Sequence, residues 1–212
     1  MKANNEPTII KQKKRLLTVD LVIMLFLILA DQAAKYAATL YLKGKPAIPL
    51  IPNVLELNYL ENRGAAFGML QNQKIFFVFV AAVILAVIVF VLFIMPLQRK
   101  YTPLHILLVM IAAGAAGNMI DRLRLDYVVD FISFVLIHFP IFNVADIYVT
   151  IATVFFVVLF LFYYKEEDLE FLGFRHGDGT ISDRYKPLQD RKTKKKEKTT
   201  ADHSTETIGE KQ

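Results

Sequence analysis

The stretch IFFVFVAAVILAVIVFVLFIM, residues 75–95, carries no charged or polar side chain. At about 1.5 Å per residue it makes a helix about 30 Å long, the thickness of a bilayer's hydrocarbon core. A helix buried in a soluble domain rarely stays apolar on every face over that length. The segment is read as a membrane span, and the rest of the chain is organised around it.

Three more apolar segments flank it. Residues 16–38 are interrupted by Asp20, Asp31 and Lys35, while 101–120 and 147–164 are nearly free of charge. The KQKKRLL start followed by LVIMLFLILA also has the shape of a secretory signal, but three further spans favour an uncleaved first helix. A hydrophobic content of 55% and a mean hydropathy of +0.40, in spite of a polar tail, agree with several spans.

Charge sets the expected orientation. Lys11, Lys13, Lys14 and Arg15 precede the first span, Arg99 and Lys100 join the second to the third, and RKTKKKEK fills 191–198. The positive-inside rule places these three regions on the cytoplasmic side, although Lys43, Lys45, Arg63 and Lys74 in the first outer linker reduce the asymmetry. The net charge of +5 is thereby explained by membrane flanks and a solvated tail, without nucleic acid as a partner. Cysteine is absent, which excludes disulfides, thiol catalysis and thiolate metal sites.

The expected fold is an all-α membrane protein with a small β element. It has four transmembrane helices, both termini cytoplasmic, and a small extracytoplasmic β-cradle. Residues 1–15 form a basic cytoplasmic flank, and 16–164 the membrane domain with outer linkers 39–74 and 121–143. Residues 165–212 form a polar tail that is partly disordered. In the outer linkers VLELNYL (54–60) alternates as a half-buried strand does, YVVDFISF (127–134) is strand-like, and Gly64 and Gly68 allow tight turns. FISFVLIHF (131–139) is too short to span and is expected along the interface or beside the bundle.

The available chemistry narrows by elimination. No HExxH occurs. His105 and His138 are far apart and read as packed or interfacial histidines. Of three serines only Ser133 lies outside the tail, without a nucleophile-elbow context. Carboxylates remain: Asp31, Asp121, Asp130 and Asp146 lie in or beside apolar sequence, where an acid is costly and calls for a function or a partner. Asp31 stands four residues before Lys35, the spacing of a helical ion pair, and a positioning role is expected for it. Asp121, followed by Arg122, suits a cation partner or a helix-end polar network. The patterns NMID (118–121) and NVAD (143–146) each set an asparagine three residues before an acid, on one face if helical. Two carboxylates sharing a poorly hydrated cleft would share a proton and could do general acid–base chemistry on a peptide. A proton-coupled transporter and a membrane scaffold are the competing readings at this point.

Five stretches carry a resemblance: DQAAK (31–35), ENRGAAFG (61–68), GNMIDR (117–122), VVDFI (128–132) and FNVAD (142–146). In this order they resemble the lipoprotein signal peptidase (signal peptidase II) family of bacteria, over residues 16–164. The resemblance implies a four-helix aspartic endopeptidase of the inner membrane, with its site near the outer leaflet. It would cut diacylglyceryl-modified prolipoproteins just before the lipidated cysteine. It implies Asp130 and Asp146 as the catalytic pair, with Asp31, Asn62, Asn118, Asp121, Arg122 and Asn143 positioning the site or contacting substrate. It further implies no metal or organic cofactor, with lipidated prolipoproteins and membrane lipids as partners. A monomer is expected. The tail is longer than the family leads one to expect.

Overall fold

The computed structural model describes residues 6–64 and 70–173. Gly68 of the ENRGAAFG turn and the lysine-rich run at 191–198 lie outside the described residues.

Among the described residues four helices are long and apolar enough to cross a membrane. They are α1 (Glu6–Leu42), α2 (Lys74–Ile94), α3 (Thr102–Leu125) and α4 (Val144–Phe162). Three strands, β1 (Ile48–Ile51), β2 (Leu55–Asn62) and β3 (Val128–Phe134), form an antiparallel sheet in the order β1-β2-β3. The second and third strands fall on the two segments read as strands, 54–60 and 127–134. The first, IPLI, is short, exposed along its length and not legible as a strand in the sequence.

The first helix starts well before the apolar segment at 16–38, so the basic residues expected as a separate flank form its opening turns. One of them has a structural use. The Lys13 Nζ donates to the carbonyls of Leu92 (2.8 Å) and Met95 (2.6 Å), where α2 runs out of intrahelical partners. At the other end α3 continues to Leu125, so Asp121 and Arg122 belong to a helix rather than to the linker at 121–143.

Helix α3 is the most buried of the four and packs against the other three. Small residues permit this. A Cβ on Gly114 would stand 2.6 Å from both the Ala145 carbonyl oxygen and Val149 Cγ2, and one on Gly117 would stand 2.6 Å from Asp31 Oδ2. These two glycines let α3 touch the start of α4 and the middle of α1, the close approach that membrane helices use in place of a hydrophobic drive.

The apolar core divides in two. One cluster, with Leu92, Met95, Tyr101, Leu104, Leu108, Tyr164 and Phe171, lies at the end where Lys13 caps α2. The other joins Ala38 and Leu42 of α1 to Val129 and Phe131 of β3. Past α4 the chain makes two short 3-10 turns, Glu166–Asp168 and Glu170–Leu172. Tyr101 stacks on Tyr164 there and meets the edge of Phe171.

The segment FISFVLIHF enters the sheet instead of lying beside the bundle. Its first four residues end β3, and the chain then turns and doubles back. Ile132 and Phe142 exchange backbone hydrogen bonds of 2.9 and 3.0 Å, so the residue just before the cap of α4 comes alongside β3.

Candidate active site

Each acid of interest is held by a different local device. Asp130 lies on β3 opposite Leu60, next to a register shift between Leu57 and Leu60 in β2. Bulges of this kind re-aim side chains near functional sites. Asn62, two residues beyond Leu60 and so on the same face, donates its Nδ2 to Asp130 Oδ2 at 2.8 Å. Asp146 is the third residue of α4. Its backbone N–H donates to Asn143 Oδ1 (3.1 Å), and the Asn143 N–H donates to Asp146 Oδ2 (3.1 Å), a reciprocal capping box. The second orphan N–H of that helix, Ala145, donates to Asp31 Oδ1 at 2.9 Å.

The two asparagine–acid patterns are cross-wired. Asn143 does not serve its neighbour's carboxylate with its amide nitrogen; its Nδ2 donates to Asp130 Oδ1 at 2.6 Å and to Asn118 Oδ1 at 3.2 Å. Asn118 in turn donates its Nδ2 to Asp146 Oδ1 at 2.8 Å. Asn143 is the cap of α4, so NVAD is not the helical one-face pair that its spacing suggests. Each asparagine holds the acid of another segment, and together they tie Asp130 to Asp146.

Lys35 underlies this layer and was missed as a site residue by sequence reasoning. Its Nζ lies 2.9 Å from Asp31 Oδ2 and 3.0 Å from Asp121 Oδ2, and donates to Asn118 Oδ1 at 2.8 Å. An ammonium has three donors, and all three are used. The spacing DxxxK shows that Asp31 and Lys35 can pair; nothing in it shows that Asp121 and Asn118 complete the set. Gln32, also missed, donates to Asp121 Oδ1 at 2.9 Å, and the other Asp121 oxygen accepts from the Val129 N–H at 3.2 Å. Asp121 thus fixes the residue beside Asp130.

Asp31, Asp121, Asp130, Asn143 and Lys35 are all buried. An unpaired charge at such depth would be prohibitive, which is why the acids and the lysine come as one hydrogen-bonded set. Burial, reinforced by the neighbouring Asp146 charge, pushes the Asp130 carboxyl up to about 6 despite the amide donors of Asn62 and Asn143. Arg122 sits at the rim, half-buried. Its guanidinium covers the Phe77 ring at 4.6 Å and donates to the Gly64 carbonyl at 3.3 Å.

All eight residues singled out from the sequence therefore gather at one end of the bundle. His105 and His138 do not join them: His105 pairs with Asp20 at 3.0 Å toward the opposite end, and His138 lies in the exposed turn after β3. Among the described residues no cluster of histidines and acids is arranged to hold a metal ion.

The signal peptidase (SPase) II family profile matches residues 23–162, the span that holds every residue of this network. The chain belongs to the signal peptidase II family. It is 42% identical over 143 residues to a lipoprotein signal peptidase of Caldanaerobacter subterraneus subsp. tengcongensis, covering 67% of this chain and 95% of the relative. It is 37% identical to one of Streptococcus pyogenes serotype M1, over 74% of this chain and 97% of that protein. Two solved bacterial membrane enzymes, determined by the in meso method, share the fold. One has a TM-score of 0.61 and 26% identity, over 77% of this chain and 95% of the other. The second has a TM-score of 0.60 and 30% identity, over 69% and 95%. Signal peptidase II is an aspartic peptidase family.

Proposed function

We propose that Asp130 and Asp146 are the catalytic dyad of a peptidase that cleaves diacylglyceryl-modified prolipoproteins before the lipidated cysteine. The observation that carries this is the pair of asparagines, which bind the two carboxylates, from a strand and from a helix start, into one buried network. A water held between the acids would lose its proton to one of them as it attacks the scissile carbonyl. The other acid would give its proton to the carbonyl oxygen. As the C–N bond breaks, the proton taken from water passes to the leaving amine, and the hydroxyl of the tetrahedral intermediate returns its proton to the second acid. Asp146 sits at the positive end of α4, a setting that suits a carboxylate acting as base. Asp130, with its carboxyl raised to about 6, suits the proton donor.

The remaining network residues have positioning roles in this reading. Asp31 and Asn143 cap α4, Asn62 and Asn118 orient the two acids, and Asp121 holds β3 beside them. Arg122, at the rim, faces the substrate. The site lies near the outer leaflet of the bacterial inner membrane, with both termini cytoplasmic, as the basic residues at the opposite end of the bundle favour. There a monomer can receive acyl chains from the bilayer and the peptide from the sheet side.

The test is incubation of the purified protein in lipid with a diacylglyceryl-modified prolipoprotein. Cleavage before the lipidated cysteine by the wild type, and none by stably inserted Asp130→Asn or Asp146→Asn, is expected. Full processing by either variant would overturn the dyad.

A further inference from the structure

Helix α2 has little of its own to hold it in the bundle. It packs on α3 and hardly meets α4, and only Ile88 and Leu92 along its length are buried. Residues 75–94 offer no polar side chain, and in a bilayer an apolar surface gains little by choosing protein over lipid. At the end nearest the carboxylates Lys74 pairs with Asp126, and the Phe77 ring lies under Arg122. At the other end Lys13 caps the last carbonyls, which ties α2 to α1 and leaves its distance from α4 unset.

The residues after α4 reach across to that end. Three polar contacts fasten them to the link between α2 and α3. The Tyr164 hydroxyl donates to the Lys100 carbonyl at 2.9 Å, the Tyr101 hydroxyl donates to the Asp168 carbonyl at 2.8 Å, and the Lys100 ammonium pairs with the Asp168 carboxylate. The Lys165 N–H donates to the same carboxylate at 3.0 Å and fixes the first turn. Beyond it Phe171 is buried, and with Leu169 and Leu172 it enters the cluster that holds Ile88, Leu92 and Met95. The turn Glu170–Leu172 thereby touches α2 directly. All of these turns lie past residue 162, where the match to the family profile ends.

We propose that residues 164–172 are a strap that sets the distance between the ends of α2 and α4, which the two helices do not set themselves. The strap continues the chain of α4, so a grip on α2 through Phe171 and Leu172 is a grip from α4. Its two kinds of contact have different weights. The Lys100–Asp168 pair is partly exposed and screened, so it directs the strap more than it holds it. Burial of Phe171 is the stronger contribution, and the rings of Tyr101 and Tyr164, stacked on each other with Phe171 edge-on to Tyr101, fix where that ring enters. With the strap closed, α2 is pinned at both ends. With it open, α2 keeps Lys74 and Phe77 as its pivot, and its far end is free to swing away from α4. The strap is independent of the peptidase chemistry proposed above.

The chain has no cysteine, so two introduced cysteines take a pair of spin labels without competition. In the full chain in lipid, Phe93→Cys with Leu161→Cys reports the strapped end, and Phe79→Cys with Ile151→Cys the end near the carboxylates; all four side chains are exposed. With the native strap both label distances should be single and narrow. Phe171→Ser, which alters none of the four helices, is expected to lengthen and broaden the Phe93–Leu161 distance by several ångströms while the Phe79–Ile151 distance stays in place. If that variant does not insert, Tyr101→Phe combined with Asp168→Asn removes two fastenings and no apolar contact, and a smaller shift of the same kind is expected. An unchanged Phe93–Leu161 distance in the variant that inserts would overturn the strap, because α3 and Lys13 alone would then hold α2. Equal lengthening of both distances would overturn it too, since the bundle as a whole would have loosened.

Discussion

At the sheet end of the bundle α1 meets α3 through Asp31, Lys35 and Asp121; about three turns away the same helices meet again through Asp20 and His105. Both contacts are buried and both join an acid to a base. They differ in completeness. Every donor of Lys35 is used, and the oxygens of Asp31 and Asp121 are shared among Lys35, Gln32 and the backbone N–H groups of Ala145 and Val129. In the second contact one nitrogen of His105 bonds Asp20, and the other, Nε2, is buried without a partner. A saturated set has one arrangement and can fix the geometry of what it touches; a half-satisfied pair only joins two helices. The first touches Asn118, the start of α4 and the residue beside Asp130, so its rigidity is passed to the proposed dyad.

Substitutions can test that contrast. The largest effect is expected at the dyad itself: Asp146→Asn or Asp130→Asn should lower the cleavage rate by about 10³-fold or more, measured on a lipidated precursor with insertion verified separately. Lys35→Met comes next. It leaves two acids buried without their cation, which should cost about 3–5 kcal/mol in unfolding measurements. It should also lower kcat about 10²-fold, because Asn118 is released from its orientation toward Asp146. Unchanged kcat in a folded Lys35→Met protein would show that the saturated cluster supports the fold alone.

pH offers a third test. A proton donor of pKa about 6 loses its proton as pH rises, so kcat/KM, which reports the free enzyme, should fall about tenfold per unit on the alkaline side of about 6. The sign for stability is the same. Between about 4 and 6 the folded Asp130 keeps a proton that the unfolded chain has released, so this group's contribution declines as pH rises through that window. A kcat/KM profile flat from pH 5 to 8 would remove Asp130 as the donor.

Gly117→Ala should have a smaller effect, about 1–3 kcal/mol, since the new methyl group would overlap Asp31 Oδ2 and push it from the cap of α4. The smallest effect is expected at the second contact. Replacing Asp20 and His105 together by leucine removes a buried pair and an unsatisfied nitrogen, which should leave stability equal or higher and cleavage unchanged. Loss of activity there would mean that the two clusters are more alike than their hydrogen bonds indicate.

Much of this molecule can be read from its chain. The spans follow from apolar length, β2 from alternation, β3 from the strand-like run YVVDFISF, and the Asp31–Lys35 pair from helical spacing. The site residues also stand in recognisable short motifs. Lys35 as the centre of the network was not readable, because a lysine four residues from an acid accounts for only one of its three donors. Nor was the crossing of the asparagines, since NMID and NVAD look alike although one lies within a helix and the other caps one.

What the sequence determined alone is therefore the four spans, the two longer strands and the inventory of acids, because hydrophobic length and periodicity are local properties. Tertiary structure decided which acid faces which. Asn143 reaches Asp130 because Phe142 pairs with Ile132 across β3, and Asp31 reaches Ala145 because Gly114 and Gly117 let α3 and its neighbours close together. Those distances depend on how separate segments pack, and a pairing between residues 31 and 145 leaves no trace in the spacing of either.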